Sequence, residues 1–163
     1  MQKHERVEKG DIHIKEIDIT NPRMAQEILN IQIPSYEVEA ELIDFYEIPP
    51  LQDTVDKLTE CGETSYGYCV KEELRGVISI KVDKADIDIH RLMVHTQHFR
   101  KGIAKKLLEF IEDSEEGMET IIVSTGSKNA PAVNLYGKSG FLKTGETRVT
   151  EQLTITSFKK KVQ

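Results

Sequence analysis

The sequence lacks tryptophan, has only two cysteines, Cys61 and Cys69, and is 6% aromatic over 163 residues. Two thiols so placed form neither a CxxC pair nor a disulfide framework, and suit a reducing compartment. No apolar run approaches the roughly 20 residues that a membrane-spanning helix needs. The segment MQKHERVEKG at residues 1–10 lacks the apolar core of a signal peptide. A cytoplasmic location with no membrane partner is therefore expected. Basic residues are outnumbered, 22 Lys and Arg against 28 Asp and Glu, giving a net charge of −6. General nucleic-acid binders are usually basic, so nucleic acid is not an expected partner. A cationic ligand such as an amine is compatible with that balance. Internal repeats, low-complexity tracts and linkers are absent too. One domain over residues 1–163 is expected, with residues 1–10 frayed.

The composition, 38% hydrophobic and 31% charged, suits a globular protein with one core. Alternation at Ile12, Ile14, Ile17 and Ile19 predicts a first strand, with a phase slip near Lys15 and Glu16. Thr20-Asn21-Pro22 is a helix start, and that helix is expected to stop before Pro34. A second, acid-rich helix is predicted over 35–46, with Glu37, Glu39, Glu41 and Asp44, and a short third over 53–60. Strands are predicted at 65–70, 76–82 and 85–94, as an antiparallel meander. In the last, Asp88, His90, Leu92 and Val94 are expected on one face, and Ile87, Ile89, Arg91 and Met93 on the other. A strand at 119–125, a helix at 129–139, an extended stretch from Phe141 and a strand at 148–159 complete the chain. The pattern predicts an α/β fold with a mixed, largely antiparallel sheet flanked by helices.

The chain is organised around LMVHTQHFRKGIAKKLLEFI, residues 92–111. Strand-like residues end at Val94, a basic turn with Arg100, Lys101 and Gly102 follows, and Ile103, Leu107 and Ile111 then recur at helical spacing. The first amides of such a helix have no intrahelical partner, and its dipole places partial positive charge there. A phosphate fits that position, with Gly102 allowing close approach and Arg100, Lys101 and Lys105 adding charge. These residues alone predict either a phosphorylated ligand or an ordinary strand-to-helix connection with a solvated basic rim.

This stretch resembles the acyl-CoA-binding motif of the GNAT acetyltransferases, [Arg/Gln]-x-x-Gly-x-[Gly/Ala]: Gly102 and Ala104 match, whereas Phe99 occupies the first position. Residues 129–141, NAPAVNLYGKSGF, resemble a second stretch of that family, with Asn129, Ala132, Tyr136, Lys138, Gly140 and Phe141 matching. The same segment is nearly a G-x-x-x-x-G-K-[ST] phosphate loop. Ala132 replaces its first glycine, however, and Val133, Asn134, Leu135 and Tyr136 suit a packed helix better.

The resemblance implies a GNAT-like acetyltransferase fold and direct transfer of an acetyl group from acetyl-CoA, the cosubstrate, to an amine of a small molecule or peptide. It implies no metal. By the family's pattern, Leu92, Met93 and Val94 would pair with the pantetheine arm, and the Val94 amide would polarise the thioester carbonyl. Arg100, Lys101, Gly102, Ile103, Ala104 and Lys105 would hold the pyrophosphate, and Asn129 would contact coenzyme A. Tyr136 would be the general acid. A phenol with a pKa of about 10 is protonated at neutral pH and can donate. Some relatives carry a basic glutamate at the position of Ser124, which cannot serve. His90, His95, His98, a water chain or a carboxylate of the acidic helix stay open as the base. The resemblance also admits a homodimer. The alternative function is a non-catalytic acyl-CoA-binding or sensing domain on the same fold.

Overall fold

The computed structural model describes residues 5–8 and 10–162. Eight strands form one sheet in the order β1-β2-β3-β4-β5-β6-β8-β7. The strands are β1 (Arg6–Glu8), β2 (Ile12–Ile17), β3 (Thr64–Val70), β4 (Glu73–Asp83), β5 (Asp86–Val94), β6 (Thr120–Gly126), β7 (Leu142–Arg148) and β8 (Thr154–Lys161). Only β5 and β6 run parallel; the other junctions are antiparallel. The expected α/β fold with a largely antiparallel sheet is present. Arg6–Glu8 pairs with β2 as an edge strand, so those residues are not frayed; residues 1–4 and 9 lie outside the described residues.

Helix α1 (Pro22–Ile43) differs from expectation, because it runs through Pro34 without a break. Asn21 caps it by accepting from the amides of Arg23 and Met24. Pro34 cannot supply the amide that the Asn30 carbonyl would receive. Both residues are exposed, so water can reach that carbonyl. Ile28, Ile31, Tyr36, Ala40 and Ile43 are buried along one helix, and this shared apolar face outweighs the proline. The short α2 (Val55–Thr59) follows a 3-10 turn at Pro49–Leu51.

Two apolar clusters cover the two faces of the sheet. On one, Ile78, Ile80, Ile87 and Ile121 pack against α3 (Ile103–Ser114) through Leu107, Leu108, Phe110 and Ile111, and against Tyr136 of α4 (Ala130–Lys138). On the other, Ile17, Val77 and Met93 pack against α1 through Ala25, Ile28, Tyr36 and Ala40. Because α4 is a regular helix, the phosphate-loop reading of residues 132–139 is excluded.

The alternation along β5 breaks at His90. Ser79 pairs with Arg91 and Ile80 with Ile89, leaving His90 as an extra residue in a bulge. The slip reverses the faces beyond it. Ile87 and Ile89 join Leu92 and Val94 on the α3 side, whereas Met93 faces α1. The face assignment expected for this strand is therefore corrected. Arg91 points to the α1 side, where Nε donates to Glu63 at 2.9 Å and Nη1 meets Asp53 and Gln32. Gln32 is fully buried, and its amide donates to Asp53 and to the Pro50 carbonyl. This network ties the bulged strand to α1 and to the segment behind it.

Candidate active site

The parallel junction of β5 and β6 is short: only Asp86–Asp88 pair with Thr120–Ile122. Beyond it the strands part, and Ile89–Val94 and Val123–Gly126 line a cleft of about 740 Å³. The lining includes α3 and α4 residues from one face of the sheet and α1 residues from the other. The cleft therefore passes between the strands. No helix of the described residues is long and apolar enough to cross a membrane.

One end of the cleft is the turn into α3. Gly102 caps the helix with φ of +77°, a left-handed conformation that favours glycine, and Arg100 has φ of +64°. The first intrahelical bond runs from the Lys106 amide to the Gly102 carbonyl at 3.0 Å. The amides of Ile103, Ala104 and Lys105 are left without helical partners at the positive end of the dipole. A Cβ at Gly102 would meet no protein atom within 4 Å, so the space over the turn is open. Free amides, a positive dipole end and open space fit a pyrophosphate. Arg100, Gly102, Ile103, Ala104 and Lys105 all line the cleft. Lys101 does not; its ammonium lies 3.1 Å from Nδ1 of His98. Burial and the nearby Arg75 and Lys101 push the His98 pKa down.

Along the middle of the cleft runs the far half of β5. The His95 amide donates to the Arg75 carbonyl of β4 at 2.7 Å. Backbone directions alternate along a strand, so the Val94 and Leu92 amides point the other way, towards the cleft. The Leu92 amide meets the hydroxyl of Tyr36, a buried α1 side chain that also lines the cleft. Across from β5 sits Tyr136, 5% exposed, with its ring 5.5 Å from those of Phe141 and Phe158. Burial, then Tyr36 and Glu39, raises its pKa, so its hydroxyl stays protonated at neutral pH.

At the start of α4, Asn129 is buried and spends its side chain within the protein. Its Oδ1 caps the helix through the Ala132 amide at 3.3 Å. Its Nδ2 donates to Thr125 at 3.3 Å and to Oε1 of Glu39 at 2.7 Å. Glu39, which sequence reasoning did not single out among the acids of its helix, lines the cleft. Burial raises its pKa, and the Asn129 bond partly opposes that. His90 and His98 also line the cleft, whereas His95 does not. Nε2 of His90 faces Asp88 at 3.2 Å, and its Nδ1 faces Glu63 at 3.7 Å.

Comparison with known proteins agrees with this architecture. The chain is 41% identical over 135 residues to UPF0157 protein YqkA of Bacillus subtilis, covering 83% of this chain and 39% of YqkA. The chain thus spans about two fifths of that relative's length. It is 27% identical over 131 residues to streptothricin acetyltransferase of Escherichia coli, covering 77% of this chain and 73% of that protein. In fold it is similar to the ribosomal-protein-S18-alanine N-acetyltransferase from Escherichia coli, with a TM-score of 0.75, 14% identity and coverage of 93% and 94%. It is also similar to the PaiA N-acetyltransferase from Thermoplasma acidophilum in complex with coenzyme A, with a TM-score of 0.70, 17% identity and coverage of 92% and 98%. The family model described as an acetyltransferase (GNAT) domain matches residues 36–162, and the chain belongs to that family.

Proposed function

We propose that this protein transfers an acetyl group from acetyl-CoA directly to an amine. The observation that carries the reading is the cleft itself, lined by the α3 start with its unpartnered amides, by the half of β5 that β6 does not pair, and by the buried Tyr136. Acetyl-CoA supplies the acyl group as a thioester. The amides of Ile103, Ala104 and Lys105 hold its pyrophosphate, with Arg100 and Lys105 adding charge. The backbone of Leu92, Met93 and Val94 aligns the pantetheine arm, and the cleft-facing Val94 amide polarises the carbonyl. Lys101 acts from outside the cleft, as part of the turn's positive field.

The chemistry needs a neutral amine, a stabilised oxyanion and a proton for the departing sulfur. The amine nitrogen bonds to the carbonyl carbon, and charge collects on oxygen opposite the Val94 amide. The carbon–sulfur bond breaks, and Tyr136 gives its proton to the thiolate. The phenolate left behind takes a proton from the new amide nitrogen, which restores Tyr136. Cytoplasmic placement belongs to the same reading and is supported by two free cysteines. The test is thiol release with Tyr136→Phe beside wild type. Turnover falls by roughly 10²- to 10⁴-fold while acetyl-CoA affinity is kept. Unchanged turnover removes Tyr136 as the acid. Absence of thiol release by wild type across an amine panel favours the non-catalytic binding domain.

A further inference from the structure

The lining of the cleft is chemically mixed. The turn into α3 brings Arg100 and Lys105 to it, and Val38, Leu42, Ile48, Pro49, Leu153 and Ile155 form an apolar wall. One carboxylate belongs to that wall, Glu39; Glu37 and Glu41 of the same helix lie outside the lining. Asp53 and Glu63 are already matched to Arg91, and His90 sits between Asp88 and Glu63.

Asn129 fixes Glu39. Its Oδ1 must face the α4 amides to cap the helix, so its Nδ2 must face outward, onto Thr125 and Oε1 of Glu39. Among the described residues, Oε2 of Glu39 has no hydrogen-bond partner. The uncharged titratable groups around it are Tyr36 on its own helix and Tyr136 on α4, each influenced by its charge.

Resting on the acetyl-transfer reading above, we propose that Glu39, oriented by Asn129, takes the proton of the incoming ammonium, and that the acceptor is a primary amine with a single positive charge and an apolar body. A single anion answers a single cation. A polyamine would leave its further ammonium groups desolvated against an apolar wall without partners. An aryl or branched alkyl body instead removes apolar surface from water against that wall. The ammonium gives one proton to Oε2, and the neutral amine then attacks the thioester carbon. Glu39 later releases that proton to solvent, so each turnover yields an amide, a thiol and one proton. The burial that raises the Glu39 pKa makes the carboxylate a stronger base than a solvated one.

The test uses phenethylamine and spermidine as probes, with wild type, Glu39→Gln and Asn129→Ser, which keeps a capping side chain. Calorimetry on coenzyme A-saturated protein is expected to show phenethylamine binding at least about tenfold tighter than spermidine, with the preference weakened by Glu39→Gln. In turnover, Glu39→Gln lowers kcat/KM by roughly 10²- to 10⁴-fold and removes the acid limb of the pH profile, with acetyl-CoA affinity unchanged. Asn129→Ser shifts that limb and lowers kcat/KM less than Glu39→Gln does. Tighter binding of spermidine, or a Glu39→Gln variant that keeps both rate and acid limb, overturns the inference and leaves acetyl transfer standing. Failure of folded wild type to bind acetyl-CoA overturns both.

Discussion

Glu39 and Tyr136 face one cleft from different helices, and burial raises the pKa of both. The consequences differ because the charged forms differ in use. In the proposed reaction Tyr136 is the neutral acid, so burial keeps it in the form that role needs. Glu39 is proposed to work as the anion, and burial works against that charge. Between its unfolded and folded pKa values the folded state binds more protons, so its contribution to stability falls as pH rises through that window. Removing the charge removes this cost. Glu39→Gln is therefore expected to gain in thermal midpoint relative to wild type as pH rises from about 4 to 7, read by thermal denaturation across pH. A gain that is flat or reversed with pH contradicts a desolvated Glu39. The place of Tyr136 in the cleft could be anticipated because it sits in a spaced motif with Asn129, Gly140 and Phe141. That of Glu39 could not, because its orientation depends on helical phase. Only a helix running unbroken through Pro34 turns Gln32, Tyr36 and Ala40 to the core and leaves Glu39 beside them at the cleft.

Among the elements, α3 and β5 set the geometry of the proposed cosubstrate site, and Gly76 of β4 sets their separation. A Cβ at Gly76 would lie 2.7 Å from Cγ2 of Ile103 and 3.3 Å from the Met93 carbonyl oxygen. Ile103 is the first residue of α3, and its Cγ2 methyl is held on the branched Cβ, so relief requires movement of the helix start or of β5. Gly76→Ala is expected to cost about 1–3 kcal/mol in denaturant unfolding and to weaken acetyl-CoA binding as the helix start shifts. Unchanged stability and affinity would show that the contact is slack. The sequence made α3 and its turn plain, since Ile103, Leu107 and Ile111 keep helical spacing behind a glycine. It hid the bulge at His90, because one inserted residue leaves an alternating pattern looking continuous on each side of the slip. Pro34 misled in the other direction: a local breaker gave way to the long apolar face of α1.

Across the whole molecule, the two helical layers meet the sheet at the place where β5 and β6 separate, and one cleft reaches both faces. Arg91 braces this opening: its guanidinium joins β5 to Asp53, Glu63 and Gln32 with its side chain 11% exposed. Its charge is matched by that network, leaving Glu39 as the one carboxylate in the cleft lining. The mixed sheet and most of its strands were legible from period and turn chemistry. The insertion of β8 between β6 and β7 was not, because order within a sheet depends on pairings between segments far apart in sequence. In the proposed reaction the open turn at the α3 start holds the pyrophosphate of acetyl-CoA in this cleft. Calorimetric titration of acetyl-CoA into wild type, Gly102→Ala and Gly102→Glu tests it most directly. Gly102→Ala isolates the strain of a left-handed residue, about 1–2 kcal/mol, and Gly102→Glu adds a carboxylate at the anion site. Saturable binding is expected for wild type, weaker binding for the alanine variant and none for a folded glutamate variant. Acetyl-CoA binding that the glutamate leaves intact would contradict this placement of the pyrophosphate.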